Sequence, residues 1–484
     1  MNIRFSLHIV GNLLKLLGIT MLVPSICSII YGEDDLWVFL ASFAITSSIG
    51  FALEKGFKSD HASLDEVGRK EGFLITSLSW IAAPLFGALP FILYGVFSNP
   101  VDAVFESVSG FTTTGASVLA NVEILPHGII FWRSFTQWLG GIGIVVLGII
   151  ILPRLAVGGM QLLALEGAGP GADKIVPRIV ETAKTLWKVY LFISVLMVLL
   201  LYLTGLPIYD SLVHMFTAVS TGGYSSKNLS VGAYNNPAAE MVFVLFMFIV
   251  GVNFSLLAGI RRRKFSDFFT NSEFRFYLSM NVLMIVIVAF ELWSRTNYDF
   301  THSLRESAFQ VVSVSTGTGF STVNYNLWPP FAKWILFLLL FPGGSTGSTA
   351  GGVKNIRVVV MLKRCYIEIY SLVHPKAVRP LRLGKKVVDS SVSYSMVIFC
   401  IIYVALVLVS ALLIMLDGVP ILTAISASAA SIGNVGPGLG GVGPASNFAH
   451  LSNFAKLNLS FVMILGRLEI FTVLVLFVPS FWRE

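Results

Sequence analysis

Long apolar runs alternate with apolar runs too short to cross a bilayer, and the alternation repeats along the chain. Four times a long run leads into a short amphipathic run, then a glycine-bearing segment, then another long run. The four segments read Thr112-Thr113-Thr114-Gly115-Ala116, Ser220-Thr221-Gly222-Gly223-Tyr224, Thr316-Gly317-Thr318-Gly319-Phe320 and Gly433-Asn434-Val435-Gly436-Pro437. Gly115, Gly223, Gly319 and Gly436 fall 108, 96 and 117 positions apart, which marks an internal repeat. Each short run is about a dozen residues, less than half a membrane if helical at about 1.5 Å per residue. The pattern therefore predicts four re-entrant half-helices, from Asp102, Leu212 to Val219, Glu306 to Val314, and Leu422 to Ala430. Gly, Ser and Thr let a backbone leave the helix and turn its carbonyls toward an ion. One polypeptide is expected to carry all four walls of an ion selectivity filter.

The long runs predict ten spans, near 5–30, 36–53, 73–97, 129–152, the stretch ending near 204, 238–258, 276–293, the stretch from 331, 392–416 and 454–478. The expected fold class is an all-α polytopic membrane protein with ten transmembrane helices and four re-entrant pore helices. Its parts are a two-helix extension (1–70) and four span–pore–span units, 71–170, 171–270, 271–386 and 387–484. Lys55, Lys58, Arg69 and Lys70 crowd one loop, Arg154 closes a span, and Arg261-Arg262-Arg263-Lys264 stops another. By the positive-inside pattern these ends are cytoplasmic, as are both termini, and the acidic tip Gly32-Glu33-Asp34-Asp35 is outside.

Composition agrees with this reading. Of 484 residues 55% are hydrophobic and 12% charged, about half the charge of a soluble protein. The net charge of +7 is accounted for by loop residues, so no nucleic-acid partner is expected. The first apolar run is too long for a cleaved leader and is taken as a retained span. Cys27, Cys365 and Cys400 give neither a disulfide framework nor metal-ligand spacing, and the seven histidines are scattered. Gly438-Leu439-Gly440-Gly441-Val442-Gly443 lacks the strand–turn–helix setting of a dinucleotide site, and no paired carboxylates or nucleophile arrangement appears. The chain is read as a non-enzyme without a covalent cofactor.

Two further features stand out. Thirteen positions before the four glycines stand Asp102, Asp210, Glu306 and Thr423, suited to capping half-helix starts whose negative ends would then point at the pore. Below the filter, the third closing span is broken by Gly343-Gly344-Ser345-Thr346-Gly347-Ser348-Thr349, continuing to Gly352, and the fourth contains Arg467 and Glu469. The expected gate joins that loop to Arg467, whose charge would oppose cations, with the loop's carbonyls and hydroxyls as its partners.

Phe111 to Ala116, Gly223-Tyr224-Ser225, Ser315 to Thr322, Asn434 to Gly440, the loop at 343–352 and Gly466-Arg467-Leu468-Glu469-Ile470-Phe471 together resemble the TrkH-type potassium uptake proteins. These belong with the KtrB and plant HKT transporters, and the resemblance covers nearly the whole chain. It implies a pseudo-fourfold ring of the four units around one pore, a homodimer in the bacterial cytoplasmic (inner) membrane, and K+ as the transported ion. It also implies a TrkA-like cytosolic regulatory ring that binds the nucleotide. The filter residues would be Thr113, Thr114, Gly115, Thr221, Gly222, Gly223, Gly317, Thr318, Gly319, Asn434, Val435 and Gly436, glycine in all four units going with potassium preference. The competing expectation is a secondary transporter that couples K+ to H+ or Na+ by alternating access, though such folds usually carry inverted repeats.

Overall fold

The computed structural model describes residues 2–57, 68–150, 175–260, 266–377, 379–384 and 386–483; Lys58, Arg154, Arg261 to Lys264 and Lys385 lie outside them. Apart from a two-stranded hairpin pairing Arg382–Leu383 with Lys386–Val387, the regular structure among these residues is helical. Among the described residues six helices are long and apolar enough to cross a membrane: Ile3–Tyr31, Leu36–Gly56, Arg69–Tyr94, Ala183–Leu203, Ser272–Arg295 and Ser390–Met415. Prolines punctuate the first and third of these, with Pro24 and Pro90 early in a following helical piece and Pro84 inside one. Large side chains such as Leu203, Val286 and Leu412 remain exposed on these helices, an apolar surface that lipid would cover.

The four half-helices are Pro100–Phe111, Ile208–Val219, Phe300–Ser315 and Ile421–Gly433. The third starts six residues before the expected Glu306, because Asp299 caps it by accepting from the His302 N–H. Asp102, Asp210 and Thr423 are each the third residue of their helix and Glu306 is the seventh, so none of this quartet is an N-cap. Asn99 caps the first helix, accepting from the Val101 N–H at 3.0 Å without contributing a charge.

The closing runs bring a second correction. The first, His127–Ile150, is one helix, but the second, expected to be continuous, bends by 105° between Pro237–Val250 and Phe254–Ile260. The fourth bends by 108° between Asn453–Arg467 and Phe471–Phe477. The third stops at Leu339, and the chain resumes as helix only at Asn355. In the second run the glycine loop substitutes for lost helical bonds: Ser345 N–H donates to the Gly251 carbonyl (2.8 Å), and Phe254 N–H to that of Gly347 (3.1 Å). The fourth break holds Glu469 and Ile470 at φ 57° and 45°, a region costly for β-branched isoleucine.

Candidate functional site

Every half-helix ends in the same way. The residue two before the key glycine is left-handed: Thr113 (φ 53°), Thr221 (58°), Gly317 (76°) and Asn434 (52°). Its N–H bonds back to the carbonyl of Gly110, Ala218, Val314 or Ser431, and the next N–H reaches Ser109, Thr217, Ser313 or Ala430 at 2.7–2.9 Å. This is the Schellman arrangement, which satisfies carbonyls that a helix end leaves orphaned. The key glycines are again left-handed, at φ 82°, 77°, 77° and 90°. Placing threonine at two left-handed positions stores strain, which persists only where the surroundings over-determine it.

The four segments are brought together. A Cβ on Gly115 would stand 2.0 Å from the Gly222 oxygen, one on Gly223 1.9 Å from that of Thr318, and one on Gly319 2.0 Å from that of Val435. A Cβ on Gly436 would stand 2.7 Å from the Thr114 oxygen, so the succession returns to its start. Each key glycine thus abuts the carbonyl just before the next one, and no side chain fits at any of the four places. Bonds behind the segments follow the same order. Tyr224 OH donates to the carbonyls of Glu106 (2.8 Å) and Ala116 (3.2 Å), and Gly232 N–H to Ser321 (3.1 Å). Tyr325 OH donates to Gly438 (3.2 Å), and Phe448 N–H to Ser117 (2.8 Å).

Several supporting residues escaped the sequence reading. Gln137 bridges one segment, donating to the Gly222 carbonyl (2.8 Å) and accepting from Tyr224 N–H (3.1 Å). Glu106, His214 and Gln310, each nine positions before a key glycine, are fully buried and hold the outgoing strand. Glu106 accepts from Val118 N–H at 2.9 Å, His214 bonds Ser225 Oγ at 2.9 Å, and Gln310 donates to Thr322 Oγ1 at 3.0 Å. The signal was available as polar residues at one shared offset, broken by Ala427 in the fourth unit. Arg133 pairs with Glu106 at 2.6 Å and lies 3.5 Å over the Tyr224 ring. The residues thirteen before the glycine serve similar ends: Asp210 accepts from Ser226 and Glu306 from Thr322, while Asp102 pairs with Lys456.

The glycine loop and Arg467 do meet. Arg467 is buried and donates to the Thr349 carbonyl (2.7 Å) and to that of Gly140 (3.3 Å), a backbone partnership in place of the loop hydroxyls. Those hydroxyls are engaged elsewhere: Thr349 donates to Val219 (3.1 Å), Ser348 to Ser345 (2.6 Å), and Thr346 to Glu273 (3.1 Å), while Ser345 Oγ is buried without a partner among the described residues. Arg467 and the loop therefore touch all four units. Glu273 Oε1 also accepts from Thr346 N–H (2.7 Å) and Ile356 N–H (3.1 Å), pinning both ends of the loop. Glu469 pairs with Arg357 at 2.5 Å, leaving Arg467 with no carboxylate among the described residues. Lys354 and Arg357 are buried, Lys354 donating to the Ala350 carbonyl. Among the described residues no group of three or more His, Cys, Asp or Glu is placed to hold a metal ion.

Comparison with known proteins agrees with this geometry. The family model for TrkH, described as a cation transport protein, matches residues 38–484. The Trk system potassium uptake protein TrkH of Halomonas elongata is 38% identical over 487 residues, and that of Salmonella typhimurium 39% over 491, each match covering 100% of both chains. The crystal structure of the potassium transporter TrkH from Vibrio parahaemolyticus superposes with a TM-score of 0.90 at 34% identity, again over 100% of both chains. The chain belongs to the TrkH family of cation transport proteins.

Proposed function

We propose that the chain carries potassium across a bacterial cytoplasmic membrane through one pore, its four units disposed in a pseudo-fourfold ring. The observation that carries this reading is the closed succession of key glycines, each against the carbonyl preceding the next. On this reading the carbonyls around Thr113-Thr114, Thr221-Gly222, Gly317-Thr318 and Asn434-Val435 replace the ion's water. Half-helix carboxyl ends direct their negative poles at the same place. The units fall at 71–170, 171–270, 271–386 and 387–484, with ten spans and both termini cytoplasmic, which agrees with basic residues in the loops. Four units of one orientation disfavour alternating access between inverted halves.

Arg467 and the loop from Gly343 to Thr349 form the gate. A buried guanidinium without a carboxylate is costly, and it repels cations approaching along the pore. The cytosolic partner is a nucleotide-binding ring, and a second copy of the chain completes a homodimer. Support for protein partners comes from the helix Asn355–Val373, which exposes Leu362, Tyr366, Ile369 and Val373 along one stripe and is not among the membrane-length apolar helices.

Gly115→Ser tests the filter. Its side chain has no room against the Gly222 carbonyl, so the sodium-to-potassium permeability ratio should rise when reversal potentials are measured on the reconstituted protein. An unchanged ratio removes the first segment from the filter.

A further inference from the structure

The ring is covalently continuous from the first unit to the fourth, but the seam from the fourth back to the first is closed by non-covalent contacts alone. We infer that the Asn434 side chain couples gate to filter across this seam, so that potassium preference depends on the state of the gate. This rests on the filter assignment above. Asn434 ends the fourth half-helix in the left-handed position, where the third unit has Gly317. The backbone there needs no side chain. Yet the Asn434 amide is buried and joins two other elements: Nδ2 donates to Thr114 Oγ1 at 2.9 Å and to the Met463 carbonyl at 3.0 Å. Met463 lies four residues, about one turn, before Arg467 on the same helix. Oδ1 is buried with no partner among the described residues, 3.1 Å from where a Cβ on Gly351 would stand and 3.2 Å from one on Gly466. One planar amide thus touches the first filter segment, the helix that carries Arg467, and the end of the glycine loop.

The corresponding place between the second and third units has no such bridge. Thr221 turns its hydroxyl back onto the Ser220 carbonyl at 2.6 Å. The Thr318 hydroxyl keeps that of Thr316 at 2.8 Å, as Thr114 keeps that of Thr112 at 2.8 Å, but gains no amide from the neighbouring segment. The fourth-to-first seam therefore reports on the gate as the second-to-third does not. Displacement of the helix end at Gly466 and Arg467 withdraws the Met463 carbonyl, the amide follows it, and Thr114 loses its donor beside the carbonyl that Gly436 abuts. Asn434 is on this account a positioning residue through its side chain, whatever its own carbonyl does for the ion.

The test uses the full chain in liposomes and reads potassium-to-sodium permeability from reversal potentials. Asn434→Gly keeps the left-handed backbone, and Thr114→Val keeps the shape but removes the hydroxyl. Each should lower the ratio roughly fivefold, the factor for one ordinary hydrogen bond. The double variant should fall no further than either single one, because both remove the same bond. Arg467→Ala should lower the ratio as well, and Asn434→Gly should add nothing in that background. Gly115→Ser serves as the control. If it shifts the ratio while Asn434→Gly and Thr114→Val do not, the coupling is wrong and the filter stands; if it too changes nothing, both fall. A merely structural asparagine would reduce thermal stability and leave the ratio of the surviving protein intact, which also overturns the inference. Should Asn434→Gly fail to reach the membrane, Thr114→Val is compared with Thr112→Val, because Thr114 also bonds the Thr112 hydroxyl at 2.8 Å. A fall confined to Thr114→Val supports the coupling, and an equal fall in both overturns it.

Discussion

Glu106 shows how much of the site depends on residues that never face an ion. Its carboxylate is fully buried and accepts from Arg133 Nε at 2.6 Å, Ser117 Oγ at 2.9 Å and Val118 N–H at 2.9 Å. Arg133 in turn donates to the Ser225 carbonyl at 3.1 Å, so one ion pair ties the outgoing strands of the first and second segments. Removing one member of such a pair leaves the other charge buried and uncompensated, at a cost of about 3–5 kcal/mol. Glu106→Gln is therefore expected to lower the thermal midpoint in detergent strongly, and Glu106→Gln with Arg133→Met to recover part of the loss. A Glu106→Gln protein as stable as the parent contradicts this account. The glycine segments are readable from sequence because only glycine, or a strained residue, suits their backbone. Glu106 and Gln137 are not, because a buried polar side chain inside an apolar run shows its partner only once the run is folded against another. The shared offset of thirteen is visible along the chain, but its purpose is different from capping. Asp210 and Glu306 accept from side chains just beyond their own glycine segments, and Asp102 pairs with Lys456 of the last closing run.

The closing runs show the same limit among whole elements. Sequence alone predicts one interruption at Pro342 to Gly352 and one at Arg467, where glycines or a charge announce it. The bend after Val250 escapes that reading because Gly251-Val252-Asn253 sits in an otherwise apolar run, and the Gly251 carbonyl finds its donor in Ser345, in the loop of the third closing run. That loop is held through Glu273, whose single oxygen accepts from Thr346 N–H, Thr346 Oγ1 and Ile356 N–H. The gate reading makes two changes equivalent in direction. Arg467→Ala removes the charge that opposes cations, and Glu273→Ala removes the anchor that holds the loop across the path. Both are expected to raise potassium flux into liposomes severalfold and to weaken control by the cytosolic partner. The two differ in one respect: Glu273→Ala leaves three donors unsatisfied, at about 1–3 kcal/mol for each that water does not reach, so it should also lower stability. Flux abolished in both, in protein that still folds and inserts, assigns loop and arginine a supporting role and removes the gate.

For the whole molecule, the fold class, the membrane character and the family are legible because lipid imposes length and composition on every span. Contacts with other proteins are less so, since a basic loop residue serves topology and docking alike. The described basic residues separate these uses. Lys363 donates to the Arg382 carbonyl at 2.7 Å, Arg364 pairs with Glu368 at 2.6 Å, and Arg379 lies over Tyr366 and Tyr370 at 5.2 and 4.9 Å. Lys363 ties Arg382 to the helix before it, Arg379 stacks on that helix and Arg364 is paired within it, so all three are poor candidates for a partner. Lys376, Arg382 and Lys386 have exposed side chains with no carboxylate partner among the described residues. Lys376 follows the stripe of Leu362, Tyr366, Ile369 and Val373 by three residues and Arg382 is tied to Lys363 of the same helix, so a positive rim adjoins an apolar stripe. Such a rim contributes to encounter and specificity more than to affinity and weakens with salt. Lys376→Glu, Arg382→Glu and Lys386→Glu together should reduce co-purification of the nucleotide-binding ring, most at low ionic strength, with membrane insertion and filter selectivity unaltered. Ile369→Glu, in the stripe itself, should cost more binding and show less dependence on salt. If the ring binds the triple variant as it binds the parent across that salt range, its docking surface lies elsewhere, and these charges serve to orient the chain in the membrane.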